Sequence, residues 1–187
     1  MKRNIAIALD LNQQQSAELF RGVTEYTHEH ELDWRLIPLG FGFEARLMEL
    51  AASRKLSGVI GTFVSDSWIQ SLEAFPVAAV NVFNFSRIES VSSISPDDLA
   101  MGQAAAEHLN QQPAEQFVFY GNDSIYATRL RLEGFRSAIS SEVTRLGPAS
   151  PVSELLKNRK SNSKRLGVFC SNDRLARSFI TEAEAAG

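Results

Sequence analysis

Apolar residues recur along this chain in two alternating patterns. Short unbroken runs stop at a polar residue or a glycine, and longer stretches carry apolar residues three and four apart. The first run is Asn4-Ile5-Ala6-Ile7-Ala8-Leu9-Asp10. A run so short and so apolar predicts a parallel strand buried on both faces. Residues 16–29 follow as a helix with Leu19, Phe20, Val23 and Tyr26 on one side. Strands are predicted again at 34–39, 58–63 and 77–83. Helices are predicted at 44–55, with Leu47, Leu50 and Ala51 inward, and at 65–74. Alternation of this kind predicts an α/β fold with a parallel sheet.

Residues 84–94 break the pattern. They are rich in serine and hold at most a short strand near 91–94. Ser95-Pro96-Asp97-Asp98 then reads as a helix start, with Ser95 as N-cap, Pro96 in the first turn and Asp98 closing a capping box. That helix runs to about Asn110. Phe117-Val118-Phe119-Tyr120 is the next strand, ending at Gly121. A helix carrying Arg129 and Arg131 continues to about Ser141. Residues 143–151 read as a loop with room for a short strand, 152–160 as a weak helix, 166–170 as a strand and 174–186 as a helix. The expected organisation is an N-terminal lobe over 1–84, a crossover over 85–95 and a C-terminal lobe over 96–187. The second lobe has few strands, so it is expected to be incomplete and the chain to be a fragment.

The net charge of −3 argues against nucleic-acid binding by these residues themselves, because neutralising phosphates takes a basic footprint. Lys157, Arg159, Lys160, Lys164 and Arg165 read as a solvated surface. One cysteine, Cys170, excludes an internal disulfide and fits a reducing compartment. No apolar run approaches the roughly 20 residues of a membrane helix, and the start of the chain reads as a strand and not as a signal peptide.

Ligands of open parallel sheets bind beyond the carboxyl ends of the strands. The strand ends here deliver Asp10, Leu11 and Asn12; Phe41 and Phe43; Thr62, Phe63 and Asp66; Asn81, Phe83 and Asn84; Asn122, Asp123, Tyr126 and Arg131; and Asn172 and Asp173. Amides, carboxylates, arginine and aromatic rings are the mix that recognises a sugar, through paired hydroxyls and an apolar ring face. Several have a second reading. Asp10 either lines the site or caps the following helix, and Asn172 either meets ligand or caps the last helix. Phe41 and Phe43 line the site or pack. Arg129 and Arg131 are two apart and cannot share a helix face, so at most one faces the site and the other makes a surface or inter-element pair.

Enzyme signals are poor. No Gly-x-Gly-x-x-Gly follows the first strand and no phosphate loop is present. His28 and His30 are two apart, which does not suit a shared metal, and no metal or cofactor is expected. Cys170 lies inside an apolar strand and reads as a small core residue.

Four segments, in this order and spacing, resemble the effector domain of the lactose-repressor/galactose-repressor family. They are Ser95-Pro96-Asp97-Asp98 through His108-Leu109, Phe117 through Gly121, Arg129-Leu130-Arg131-Leu132-Glu133-Gly134-Phe135, and Cys170-Ser171-Asn172-Asp173. The opening, Arg3 through Leu9 and then Leu19 through Tyr26, is similar to the xylose operon regulators, which place an AraC-type DNA-binding domain last. The resemblance implies a type I periplasmic-binding-protein-like fold of two Rossmann-like lobes. Arg131 and Asn172 would meet the ligand from the second lobe, with Tyr126 as a wall. Asp10 and Asn12 would line the first, together with Asn81, where the family often has an acid. It implies a cytoplasmic, homodimeric, xylose-sensing domain of a transcription regulator and not an enzyme. Lobe closure on the sugar would control operator DNA binding by a domain absent here. The rivals are a sugar-binding transport protein of the same fold and a small α/β nucleotide-binding enzyme.

Overall fold

The computed structural model describes residues 2–40, 42–157 and 165–186. The chain forms two compact units, Met1–Pro96 and Asp97–Gly187.

The first unit contains β1 (Arg3–Ala8), α1 (Gln14–Glu29), β2 (Trp34–Leu39), α2 (Glu44–Ala52), β3 (Gly58–Gly61), α3 (Asp66–Gln70), β4 (Ala78–Val82) and β5 (Ser92–Ile94). Its five strands are all parallel, in the order β2-β1-β3-β4-β5. Strand β1 lies inside the sheet, and successive side chains on it point to opposite faces. Ala6 and Ala8 pack with Leu47, Ala51, Val59, Phe63 and Ile69. Ile5, Ile7 and Leu9 pack with Val82 and with Leu19, Phe20 and Val23 of α1. Both faces are therefore covered, which is why the run reads as continuously apolar. The short strand expected in the crossover is β5, paired with β4 from Val80↔Ser92 to Val82↔Ile94. Phe83 follows β4 at φ 65°, a conformation a bulky side chain rarely takes, and its N–H donates to the Ile94 carbonyl at 2.9 Å.

The second unit contains α4 (Asp98–Asn110), β6 (Gln116–Tyr120), α5 (Tyr126–Ala138), β7 (Val143–Leu146), α6 (Val152–Lys157), β8 (Leu166–Cys170) and α7 (Asp173–Ala185). Its parallel sheet has the order β7-β6-β8. Phe117 and Phe119 of the central strand pack with Ala106, Leu132, Phe135 and Ile139, and Tyr120 packs with Val152, Leu175 and Phe179. Helices α4 and α5 meet backbone to backbone. A Cβ added at Gly102 would lie 2.1 Å from the Arg131 carbonyl oxygen, and one at Gly134 would lie 2.0 Å from that of Leu99.

Four local expectations are corrected. The N-cap of α4 is Asp97, whose carboxylate accepts from Ala100 N at 2.9 Å, not Ser95. Asp98 closes no capping box; it is buried and paired with Arg131. Asp10 does not cap α1, whose N-cap is Gln13 without a side-chain bond. The helix expected over 65–74 is helical only to Gln70 and continues as turns. Phe41, Arg159, Lys160 and Lys164 lie outside the described residues.

Candidate functional site

At the carboxyl edge of the first sheet, Asp10 closes the loop that leads from β1 into α1. Its carboxylate accepts from the backbone N and the Nδ2 of Asn12, at 3.2 and 3.1 Å, and from Gln13 Nε2 at 3.2 Å. The Gln13 side-chain amide, followed by the Asn12 backbone N–H, holds this carboxyl below the usual range, so it is ionised at neutral pH. Asp10 and Asn12 are thus brought together in one exposed polar turn.

Asn81 is different. It is 2 % exposed. Its Oδ1 accepts from Phe63 N at 3.1 Å, and its Nδ2 donates to the Phe83 carbonyl at 3.2 Å and to Ser93 Oγ at 3.1 Å. One amide braces the ends of β3, β4 and β5, and both its donors are already engaged by protein. Asp66 has a similar bracing task. It accepts from Glu89 N and Ser90 N, the latter at 2.8 Å, and so tethers the segment that precedes β5. The Ser90 hydrogen bonds hold this carboxyl below its ordinary value. Phe63 is buried and stacks on Trp68 at 5.7 Å, with Phe43 edge-on to the same ring at 6.1 Å. These aromatics pack the core, and no ligand is needed to explain them.

At the carboxyl edge of the second sheet, Asn122 accepts from the N and Oγ of Ser124 and shapes the loop after β6. Asp123 is paired with Arg145. Arg129 donates to the Asp123 carbonyl at 2.6 Å and lies over the Tyr126 ring, 5.4 Å from its centroid. Arg129 is therefore a brace for the loop. Arg131 turns the other way. Its Nε and Nη2 sit 2.8 and 2.7 Å from Asp98 Oδ1, and its Nη1 donates to the Ser171 carbonyl. A guanidinium carries five N–H groups, so two remain. Asn172, next to Ser171, caps α7 by accepting from Leu175 N at 2.9 Å. The cap uses its oxygen and leaves its amide donors outside that bond. Arg131 and Asn172 thus reach one loop, and Tyr126 is half-buried in the first turn of α5.

Two helix ends add donors. Helices α1 and α5 follow β1 and β6, and neither has a side-chain cap or an acid in its first turn. Their first backbone N–H groups lack the partners that Asp97 and Asn172 give α4 and α7. The positive end of the helix dipole favours electron-rich oxygens at such places. Burial pushes the Cys170 thiol up to about 11, which disfavours a thiolate there. Among the described residues, no group of three or more acids, histidines or cysteines could hold a metal, and no helix is long and apolar enough to cross a membrane.

Sequence reasoning missed Asp98, Ser171 and Ser93. Asp98 carries a real helix-start signal, and its partner stands 33 residues later, so no local pattern announces the pair.

The family described as periplasmic binding proteins and sugar binding domain of the LacI family matches residues 5–145. That span includes Asp10, Asn12, Asn81, Tyr126 and Arg131, and Asn172 lies beyond it. No curated protein matches the chain. Several solved structures do. An ABC transporter solute-binding protein from Burkholderia multivorans matches with TM-score 0.79 and 18% identity, over 100% of this chain and 76% of that one. A LacI transcriptional regulator from Lactobacillus brevis matches with TM-score 0.79 and 17% identity, over 99% and 75%. A periplasmic binding protein/LacI transcriptional regulator from Alkaliphilus metalliredigens, complexed with D-xylulofuranose, matches with TM-score 0.72 and 17% identity, over 99% and 73%. At these identities the likeness is one of fold.

Proposed function

This chain belongs to the family of periplasmic binding proteins and LacI-type sugar-binding domains, and from that premise we propose that it is the sugar-sensing domain of a transcription regulator. Its fold is of the type I periplasmic-binding-protein-like class, with parallel sheets. The ligand in this reading is a pentose, with xylose first. The domain binds and does not catalyse. It acts in the cytoplasm as a homodimer, and a separate AraC-type domain contacts operator DNA. The charge of −3 supports that division of labour, since these residues offer DNA no basic footprint.

The observation that carries the reading is Arg131. It stands at the carboxyl edge of its sheet, fixed on two sides and with two N–H groups spare. Fixed planar donors suit paired hydroxyl oxygens, because little conformational freedom is left to lose on binding. Asn172 and Tyr126 are the other contacts proposed on the same unit, and Asp10 and Asn12 are proposed as polar groups at the carboxyl edge of the first sheet. Asn81 is a brace in this scheme, since its amide is already engaged. A transport-type sugar-binding protein is the second reading, favoured by the likeness to the Burkholderia solute-binding protein.

Thermal-shift screening of pentoses, hexoses and nucleotides tests the proposal. A sugar at 100 times its Kd should stabilise the protein by about 2.7 kcal/mol. Stabilisation by a nucleotide alone would sink it. Sugar-dependent operator binding by the regulator that carries this chain separates the two sugar readings.

A further inference from the structure

The Arg131 side chain is held before any ligand arrives. Asp98, at the start of α4, takes its Nε and Nη2, and the loop after β8 takes its Nη1 through the Ser171 carbonyl. The Asp98 side chain is 1 % exposed and that of Arg131 is 18 % exposed. A carboxylate so buried has no solvent to turn toward, and a guanidinium held along Nε and Nη2 loses most of its rotation. The platform beneath the pair is equally fixed. Gly102 lies one turn after Asp98 on α4, and Gly134 lies nearly one turn after Arg131 on α5. At both glycines the two helices are in backbone contact, with no room for a methyl group. Sliding of α4 along α5 would replace a glycine at these contacts by a residue whose Cβ has no room there.

The geometry points to Asp98 as a positioning residue for ligand recognition: it sets the Arg131 guanidinium so that the two remaining N–H groups serve the sugar. This rests on Arg131 as a ligand contact. Asp98 itself stays buried and does not touch the ligand. The plainer role is a brace between α4 and α5, and the two roles differ in what they move. Loss of a brace lowers stability and leaves the affinity of the folded protein alone. Loss of a positioning residue lowers affinity.

The test is calorimetric titration of the whole chain with D-xylose, then with D-ribose, L-arabinose, D-glucose and D-galactose, for the wild type, Asp98→Ala and Asp98→Asn. Asp98→Ala should weaken sugar binding about ten-fold or more in protein whose circular dichroism is native. Asp98→Asn keeps an acceptor oxygen in place and should recover affinity to within about three-fold of wild type. Unchanged affinity in folded Asp98→Ala overturns the inference. If that variant does not fold, the affinity of Asp98→Asn is compared with that of the wild type, and nitrogen-detected NMR of the wild type tests the premise that the guanidinium is held before ligand arrives. The Arg131 Nε–H should exchange far more slowly than that of exposed Arg136. Equal exchange rates overturn the inference. A wild type that binds no sugar yet shows a protected Arg131 Nε–H refutes the sugar reading and leaves Asp98 as a brace between α4 and α5, which overturns the inference as well.

Discussion

In the proposed reading two demands meet at Arg131, one from the ligand and one from Asp98. Replacing it by alanine should therefore act in two ways. The sugar-induced thermal shift should vanish. The apoprotein should also lose roughly 3–5 kcal/mol, because a buried ion pair is broken from one side. Urea denaturation beside the thermal-shift assay reads both, and a retained shift would remove Arg131 from the site. Asn81→Ala belongs to the same scale. It leaves Phe63 N and the Phe83 carbonyl without their partner and should cost about 1–3 kcal/mol in denaturant titration. Asp66 gives a pH dependence. Its pKa is lowered in the folded chain, so the contribution is present above the ordinary value of 3.8 and is lost as pH falls through the depressed one. Amide exchange at Glu89 and Ser90 should be faster in Asp66→Asn than in wild type at pH 7, and the two proteins should converge in strong acid. Residue roles were the least legible feature of the sequence. Asp10, Arg131 and Asn172 could be placed at strand ends from their neighbours alone. What each one touches depends on pairs such as Asp98 with Arg131 or Asn81 with Ser93, which form only when the chain folds.

Elements were legible because each follows from a local pattern. Strands β1, β3, β6 and β8 are short apolar runs between polar stops, and α1 shows its apolar face at helical spacing. Element ends were not. The cap of α4 moved from Ser95 to Asp97, and α3 stops at Gln70, where its last apolar residues serve turns. Glycine gives two opposite tests at this scale. Gly134→Ala would press a methyl group into the Leu99 carbonyl and should destabilise by about 1–3 kcal/mol or more. Gly22 lies within α1 with nothing within 4 Å of its Cβ position. There alanine lowers the entropy of the unfolded chain and should stabilise by about 0.5–1 kcal/mol. Chemical denaturation of both variants checks the pair, and equal effects would contradict the close crossing of α4 and α5.

For the whole molecule, two parallel sheets present polar edges built by the same means: a strand, a loop that its own side chains shape, and a helix that follows. Two of those helices, α1 and α5, start without side-chain caps. Strand ends, a braced arginine and open helix starts are the features on which the proposed sugar-binding role rests. Calorimetric titration of the wild type and of Arg131→Ala with pentoses and hexoses puts this to its most direct test. Saturable heat with at least one pentose in the wild type, lost in the variant, is the predicted result. No heat with any sugar, or equal heat from both proteins, would contradict it.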